Sequence, residues 1–572
     1  MKSTSFGRRR FLASAVGGAV GAAALAACGG NSPKSSGSTT NVSSSSPPTT
    51  GATGATGASG SPSSAAAPVP TYVPYPGATP DIAAEAHGVP AGFFHYPANP
   101  QSFINHPMGN GEDITFLLEG NNIATPLSKN KWWQGINSAV KANLKIETVT
   151  NTGTSVTYTS KLQVSIAGND LPDVVQLVTV PSFPQVLEKD FTDLTDYLAG
   201  DAIKAYPGLA SIPTATWQIP TLNGRIWGVA QSRPAAGQIA STRGDLLKGF
   251  GVSSNSPQLS SGQDFMDLCK ELTDVKRGKY AIGEQPNTWV LNAMLEMQGA
   301  PNSWKEENGT FTSVYETDEM KAALEQTTNI WKAGYIHPDA FVTPGNNYTW
   351  WSGGITSIYF QSIAGWAAYA VPNPTWDIGV ITLPKWSGGG AANKILGVAG
   401  YGDFVAIKKA SQAKVQEILR IFDFFAAPFG TKEYLAMNWG AEGTDYTLNG
   451  NDPVATATAK SDSPQGLGYC GSQTFVNIYV PGNQTLVTAV HDYLASVLPT
   501  GVPNPTWGLY SDTAATKGTT ANQNLQNVEA DIIQGRKSMS DWDAAVKAWV
   551  QAAGDAERKE YEQAFAAQHG GS

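Results

Sequence analysis

The sequence predicts an α/β protein of two lobes, with the chain crossing between them more than once. Three observations carry that prediction. The chain has 572 residues, well beyond the roughly 100–200 of one compact domain. Between Ile114 and Val178, strand-like and helix-like periodicities alternate in the order β-α-β-α-β, which favours a doubly wound sheet with ligands beyond the carboxyl ends of its strands. A second region of the same character runs from Gly262 to Ala426, and helical segments close the C-terminus.

The chain opens with Lys2 and Arg8–Arg10 ahead of Phe11–Ala27, an Ala/Gly-rich and weakly apolar stretch. This is a signal-peptide layout, too weak for a comfortable membrane span. Arg8-Arg9-Arg10-Phe11-Leu12 resembles the twin-arginine export signal. Leu25-Ala26-Ala27-Cys28 resembles the bacterial lipobox, which implies a signal over 1–28 that ends at a lipidated Cys28. Residues 29–70 hold one charge, Lys34, no aromatic, and three Gly-Ala-Thr/Ser triplets beginning at Gly51. Such a composition cannot bury enough apolar surface to offset chain entropy, so a disordered tether is expected. As a coil it would span about 35 Å.

Residues 71–111, rich in Pro and aromatics, read as an ordered lead-in wrapped over the body. Ile114–Leu118 is a short apolar run suited to a buried parallel strand. Over Ser128–Leu144 the residues Trp132, Ile136, Val140 and Leu144 share one helical face. Lys145–Val149 reads as strand, Ser155–Ala167 as helix and Asp173–Val178 as the third strand. In the second region Gly262–Val275 and Asp318–Lys332 read as amphipathic helices, the latter with Thr317 as N-cap and Gly334 as stop. Strands follow at Ser357–Phe360, Asp377–Leu383 and Asp403–Ile407, then a helix at Lys414–Ala426. Helices at Asn524–Gln534, Asp541–Ala553 with Ser540 as cap, and Ala556–Ala567 complete the chain.

Composition narrows the function. Only 15% of residues are charged, and the net charge is −9. The cations near the N-terminus have no acids beside them, so the body is more acidic still, which argues against nucleic acid as the main partner. Cys269, in a helical pattern, reads as a buried inert thiol, and its pairing with Cys470 is left open. No GxSxG, HExxH or phosphate-loop pattern occurs, and the six His lack metal spacing. Gly397–Gly402 departs from the dinucleotide GxGxxG and reads as a flexible crossover between lobes. The oxygen-rich loop Asp445–Asp452 lacks calcium-loop spacing and reads as a turn. No cofactor, metal or catalytic residue is expected.

Four stretches, in order along the chain, resemble one family. Gly168-Asn169-Asp170-Leu171-Pro172-Asp173-Val174-Val175 resembles a small-G-D-x-P-D stretch leading into a third strand. Asn223-Gly224-Arg225-Ile226-Trp227-Gly228-Val229 resembles an (N/D)-G-K-x-Y-G-(I/V) stretch leading into an inter-lobe strand. Arg243-Gly244-Asp245-Leu246-Leu247 resembles R-x-D-L-L, and Gly440-Ala441-Glu442-Gly443-Thr444-Asp445-Tyr446 resembles G-x-E-G-x-x-Y. Together they resemble the extracellular solute-binding lipoproteins of carbohydrate ABC transporters, within the alginate-oligosaccharide and lipoprotein-Q-like subgroup. The resemblance runs from about Ile114 to the C-terminal helices. It implies a two-lobed, periplasmic-binding-protein-like (type II) α/β fold with a hinge between the lobes. The expected first lobe comprises 112–232 and 398–438, and the second 233–397 and 439–572. It also implies a monomer on the outer face of the cytoplasmic membrane that captures a sugar or oligosaccharide and presents it to ABC permease subunits by hinge closure. Ala441 and the amide-rich loops depart from the subgroup and leave the ligand chemistry open.

A sugar ring presents an apolar face, which an indole covers, and a rim of hydroxyls, which amides, carboxylates and guanidinium groups bond. Trp366, after the Ser357–Phe360 strand and beside small residues, is the first aromatic candidate, with Trp289, Trp439 and Trp507 in loops behind it. Trp132, Trp133, Trp331, Trp542 and Trp549 lie on helix faces and read as core; Trp350-Trp351 is undecided. Polar candidates come from strand ends: Glu119, Asn121, Asn122, Gln176 and Arg233. A tethered glycan-processing enzyme, hydrolase or lyase, is the alternative, since a carboxylate pair is a three-dimensional property.

Overall fold

The structure, a computed structural model, describes residues 69–120, 123–150, 156–400 and 402–569. The expected signal, Cys28, the tether to residue 68, and the candidates Asn121 and Asn122 lie outside the described residues.

Eight strands matter for the site: β1 (Asp113–Gly120), β2 (Asn143–Thr150), β3 (Val174–Leu177), β4 (Gln238–Arg243), β5 (Tyr280–Ile282), β6 (Thr356–Ser362), β7 (Ile378–Ile381) and β8 (Phe404–Ile407). They form two separate four-stranded sheets, ordered β8-β3-β1-β2 and β7-β4-β6-β5. In the first, β2, β1 and β3 run parallel and β8 returns antiparallel beside β3. In the second, β5 and β6 are parallel and β4 runs against both β6 and β7.

Each sheet is buried on both faces, because alternate residues along its strands are apolar on both sides. Ile114, Phe116 and Leu118 of β1 enter one core with Trp132, Ile136 and Phe422. Leu117 enters the opposite core with Tyr158, Leu187 and Phe404. Likewise Ile282, Ile358 and Phe360 meet Phe265, Met294 and Trp542, while Ile239, Ile378 and Val380 meet Trp351, Val487 and Leu494. Full burial of each such side chain contributes about 1.5–3 kcal/mol, so each lobe holds its own sheet between two apolar layers. Cys269 and Cys470 are free and buried in different lobes. Burial pushes both thiols up, which leaves them inert.

Most helices lie where the periodicity puts them. Asp318–Lys332 is capped by the Thr317 side chain, which accepts from Met320 N–H, and Gly334 ends it at φ 74°. The expected cap at Ser540 is corrected to Ser538. Helix Met539–Trp549 starts earlier because Asp541, at its third position, reaches back to the Ser538 N–H at 2.7 Å and completes a capping box. Among the described residues no helix is long and apolar enough to cross a membrane.

Two of the chain segments that join the lobes pair with each other. Val229 and Val405 exchange N–H···O bonds of 2.9 and 2.8 Å, Ser232 bridges Gly400, and the Gly397 N–H donates to Ala235 O at 2.9 Å. The Asn-Gly-Arg-Ile-Trp-Gly stretch builds this crossing. Asn223 and Gly224, at φ 51° and 69°, make the two-residue turn of a hairpin that pairs Leu222 with Arg225. Trp227 fills the core beyond it, and Gly228 lets the backbones touch: a Cβ there would sit 2.3 Å from Val405 O.

One lobe boundary differs from expectation. Residues 439–473, assigned above to the second lobe, pack on the first. Leu467 and Cys470 lie in its core, and the Gln473 amide donates to Ser211 Oγ at 2.7 Å and Ala426 O at 2.5 Å. Only after Ile478–Tyr479 does the chain join the second lobe, through helix Gln484–Val497. The signal was short apolar residues without helical period, which carry no lobe address in one sequence. The lead-in touches both lobes: the Thr71 N–H donates to Gly200 O, His106 meets Asp423 at 2.7 Å, and Val89 enters the second-lobe core.

Glu284, two residues after β5, lies buried and accepts the Phe360 N–H at 2.9 Å; burial pushes its carboxyl up to about 8. The folded state therefore holds a proton that the unfolded chain releases near pH 4.5. Its contribution is fullest below that pH and is lost as pH rises toward 8, by up to about 1.4 kcal/mol per unit. Glu284→Gln is expected to flatten this dependence, so that urea unfolding at pH 8 shows a larger gain over wild type than at pH 5. An equal difference at both values would contradict the assignment.

Candidate ligand-binding cleft

The carboxyl ends of the two sheets open on three recesses arranged around the crossing. One, about 230 Å³, lies in the first lobe and is lined by Gln231, Arg233, Asn438, Ser472, Thr474 and Phe475 among others. A second, about 510 Å³, lies in the second lobe, with Gln238, Asn287, Trp289, Asn302, Ser362 and Gln526 on its walls. The third, about 450 Å³, is shared: Leu177, Phe183 and Phe404 from the first sheet's side face Trp507, Tyr510 and Tyr561 from the C-terminal segment. Each is near or within the size range of small-ligand pockets. A larger recess of about 670 Å³ around Trp133, Lys145 and Lys161 belongs to the edge of β2 and holds none of the candidate residues.

The first wall is organised by Gln176. Its Oε1 accepts the Glu119 N–H at 2.9 Å and its Nε2 donates to Asp403 Oδ2 at 2.6 Å, tying the ends of β1, β3 and β8 together. Burial pushes the Asp403 carboxyl up to about 6; Gln176 and Arg233 pull it down, and Glu119 pushes it further up. Arg233 also stands over the Phe475 ring, 5.3 Å from its centroid.

The second wall is built by an irregular turn at Pro286–Val290, where Thr288 adopts φ −124°, ψ −107° and turns the chain out of helical geometry. Asn287 donates to Gln526 O at 3.1 Å, and Gln238 donates from Nε2 to the Trp289 carbonyl at 2.8 Å. These bonds leave the Trp289 indole 36% exposed over the recess. Glu529 beside Asn287 is buried, and burial pushes it up to about 8.

Two hydrogen bonds join the walls across the shared recess. The Ser182 N–H donates to Asp512 Oδ1 at 3.2 Å and the Phe183 N–H to the Tyr510 hydroxyl at 3.3 Å. Both donors start helix Phe183–Asp190, where an anion meets the positive end of the helix dipole. Among the described residues no group of three or more His, Cys, Asp or Glu could hold a metal ion.

No family model matches the chain. It is 22% identical to the polygalacturonan/rhamnogalacturonan-binding protein YtcQ of Bacillus subtilis over 445 residues, 74% of this chain and 88% of that protein. Its fold matches an HMO-binding, ABC-transporter-associated solute-binding protein from Bifidobacterium longum infantis with a TM-score of 0.58 at 13% identity, over 80% of this chain and 99% of the other. The alginate-binding protein AlgQ2, crystallised without calcium ion, matches with a TM-score of 0.52 at 14% identity, over 80% and 98%. In sequence and in fold the chain is similar to proteins that bind carbohydrates. Its two lobes and paired crossing are the type II arrangement that the sequence motifs implied.

Within this solute-binding fold the candidate residues separate. Trp289, Trp507 and Arg233 line recesses. Trp439 follows helix Lys432–Asn438 and is half-buried; it lines none of the three, whereas its neighbour Asn438 does. Gln176 is 0% exposed, and Glu119 is buried beside it, so both support the wall from behind rather than present a face to a ligand. Trp366 is corrected to core: it is 3% exposed, donates from its indole N–H to Ile378 O at 3.2 Å and meets Tyr493 edge-on. Its small neighbours Ala367 and Ala368 do not bare the indole, because helix Gln484–Val497 covers it from another part of the chain. Trp350 and Trp351 are core as well. The sequence reading missed Gln238, Asn287 and Asp403; an amide directly before an apolar strand and an acid directly after a Gly-rich crossover were the available signals.

Trp366→Ala is expected to cost about 3–5 kcal/mol in urea unfolding through the cavity it leaves, whereas Trp289→Ala should change stability by less than about 1 kcal/mol. A Trp366 variant as stable as wild type would return that residue to the surface.

Proposed function

We propose that the protein is a lipid-anchored receptor that captures a carbohydrate and delivers it to an ABC permease by closure of the two lobes. The observation that carries this is the composition of the walls. Indoles, amides and hydroxyls face one another across a hinge, at the carboxyl ends of two sheets. Trp289 and Trp507 supply flat apolar surfaces for sugar faces, and Gln238, Asn287, Asn302 and Asn438 supply amides for hydroxyls. The names of its relatives, binders of polygalacturonan and rhamnogalacturonan, of HMO and of alginate, support the same class.

Closure needs a ligand that binds the closed form better than the open one. Contacts to both walls provide that difference, and the Asp512 and Tyr510 bonds to Ser182 and Phe183 add to the closed form. No bond is made or broken in the ligand. The receptor works as a monomer, since both walls come from one chain. Cys28 and the spacer behind it hold the body at the outer face of the cytoplasmic membrane, where two or more acyl chains anchor stably and one only marginally.

Thermal unfolding against a panel of mono- and oligosaccharides tests the reading. A ligand at a hundredfold its Kd stabilises by about 2.7 kcal/mol, a rise of about 2 °C or more in Tm, and Trp289→Ala should reduce that rise. Recovery of the sugar with altered linkages would instead identify an enzyme. Cys28→Ser should release the protein from membranes or leave an uncleaved precursor; membrane-held, lipidated variant would remove the anchor from the proposal.

A further inference from the structure

The cleft walls carry a charge pattern that narrows the carbohydrate. Among the described residues that line the three recesses, Arg233 is the one cation. Asn121, Asn122 and Tyr401, which lie outside the described residues, are uncharged by sequence. Arg233 is itself engaged: Asp403 lies close enough for each charge to act on the other, and Phe475 takes its face. Glu119, buried behind the wall and lining none of the recesses, puts a second carboxyl group into the surroundings of that one guanidinium. In the second-lobe recess the ionisable linings besides Tyr315 are Glu296 and Glu529. Glu296 is committed to buried Lys394 at 2.9 Å, and Glu529, raised to about 8 by burial, is uncharged at neutral pH. The shared recess has no ionisable residue besides tyrosine.

Hydrogen-bonding polarity points the same way. Gln238 is nine-tenths buried on the second-lobe recess; its Nε2 is fixed by the Trp289 carbonyl, and its Oε1 has no hydrogen-bond partner among the described residues. An orphaned acceptor is satisfied by an O–H donor, which a hydroxyl of a neutral or an acidic sugar supplies, and it repels a carboxylate placed against it. Arg233 and Gln238 are five residues apart on the crossing strand, so their Cα atoms are separated by no more than about 18 Å. An oligosaccharide long enough to reach both meets this one charge pattern throughout. A uronate on each ring would bring carboxylates to a recess whose one guanidinium already has Asp403 close by, and to a recess with no cation in its lining, where desolvation goes uncompensated.

We infer that the cleft takes an uncharged oligosaccharide and excludes uronate chains, in contrast to the polygalacturonan and alginate named for two of its relatives. The inference rests on the carbohydrate reading above. Its test is calorimetric titration of the purified full-length protein with matched pairs. Galacturonate oligomers are set against their methyl esters, and alginate oligomers against neutral gluco-, manno-, xylo- and galacto-oligosaccharides. Expected is binding of at least one neutral oligomer, with every uronate weaker by about a hundredfold or more. Affinity for the neutral ligand should also hold between about 50 and about 500 mM salt, since no charge is transferred. A uronate oligomer that binds as tightly as the best neutral one overturns the inference and leaves carbohydrate capture standing. Silence toward every neutral and acidic oligosaccharide overturns the carbohydrate reading, and this inference with it.

Discussion

The close backbone contact between the two crossing segments is the constraint on which the rest depends. Val229 and Val405 bond to each other directly, and the chains approach so tightly that glycine is required at Gly228 and at Gly400. A Cβ on Gly400 would lie 2.2 Å from Ile219 Cδ1 and 2.7 Å from Gln231 O. Because β8 leaves this crossing to pair with β3, and β4 leaves it to pair with β6 and β7, the carboxyl edges of both sheets end at the same place. The cleft follows from that convergence. Gln231 and Arg233 line one recess and Gly237 and Gln238 another, because a single strand passes from lobe to lobe between them.

Much of this fold is written in local pattern. The runs at Ile114–Leu118 and Asp403–Ile407 are apolar on both sides, which suits strands buried on both faces, and Thr317 with Gly334 brackets a helix almost to the residue. The Asn-Gly turn and the Gly after Trp227 mark the crossing for a backbone reason that needs no alignment. The site was less legible. Trp366 and Trp289 look alike in sequence, each near a strand end among small or polar residues, yet one is core and the other is open. What separates them is a helix more than a hundred residues further along the chain, and no local pattern reports it. Gln176 shows the converse: a polar residue at a strand end reads as a ligand contact, but its two hydrogen bonds inside the sheet consume it.

Two carboxyl groups are buried near the cleft without a cation: Glu284 and Glu529. Each accepts hydrogen bonds or sits beside an amide, so neutralisation by a proton, rather than by a salt bridge, answers the cost of burial. A wall built of protonated acids and amides bonds hydroxyls without setting up a strong field. That is a different solution from a basic groove, and it suits a surface that must release its ligand after closure.

The exception is the buried pair Glu296–Lys394, and its position explains it. Glu296 belongs to helix Leu291–Gln298, which lines the second-lobe recess; Lys394 starts the returning crossing segment. Besides pairing with Glu296, Lys394 donates to the Gln238 carbonyl, and Glu296 also accepts the Ile395 N–H at 3.3 Å. Buried ion pairs add little net stability but penalise any geometry that separates them. The helix, the outgoing strand and the returning strand are thus locked to one another at the second-lobe end of the crossing. Asn302 extends the lock by donating to both Leu396 O at 2.7 Å and Val502 O at 2.9 Å. At the first-lobe end, Gln176 and Asp403 fix β8 to β3 in the same manner. Between these clamps the crossing is held by backbone hydrogen bonds and by the Thr216 hydroxyl on Ala399 O. Between the clamps on the returning segment, Gly397 and Gly402, unlike the crowded Gly400, have room about them, and there the backbone turns at least cost.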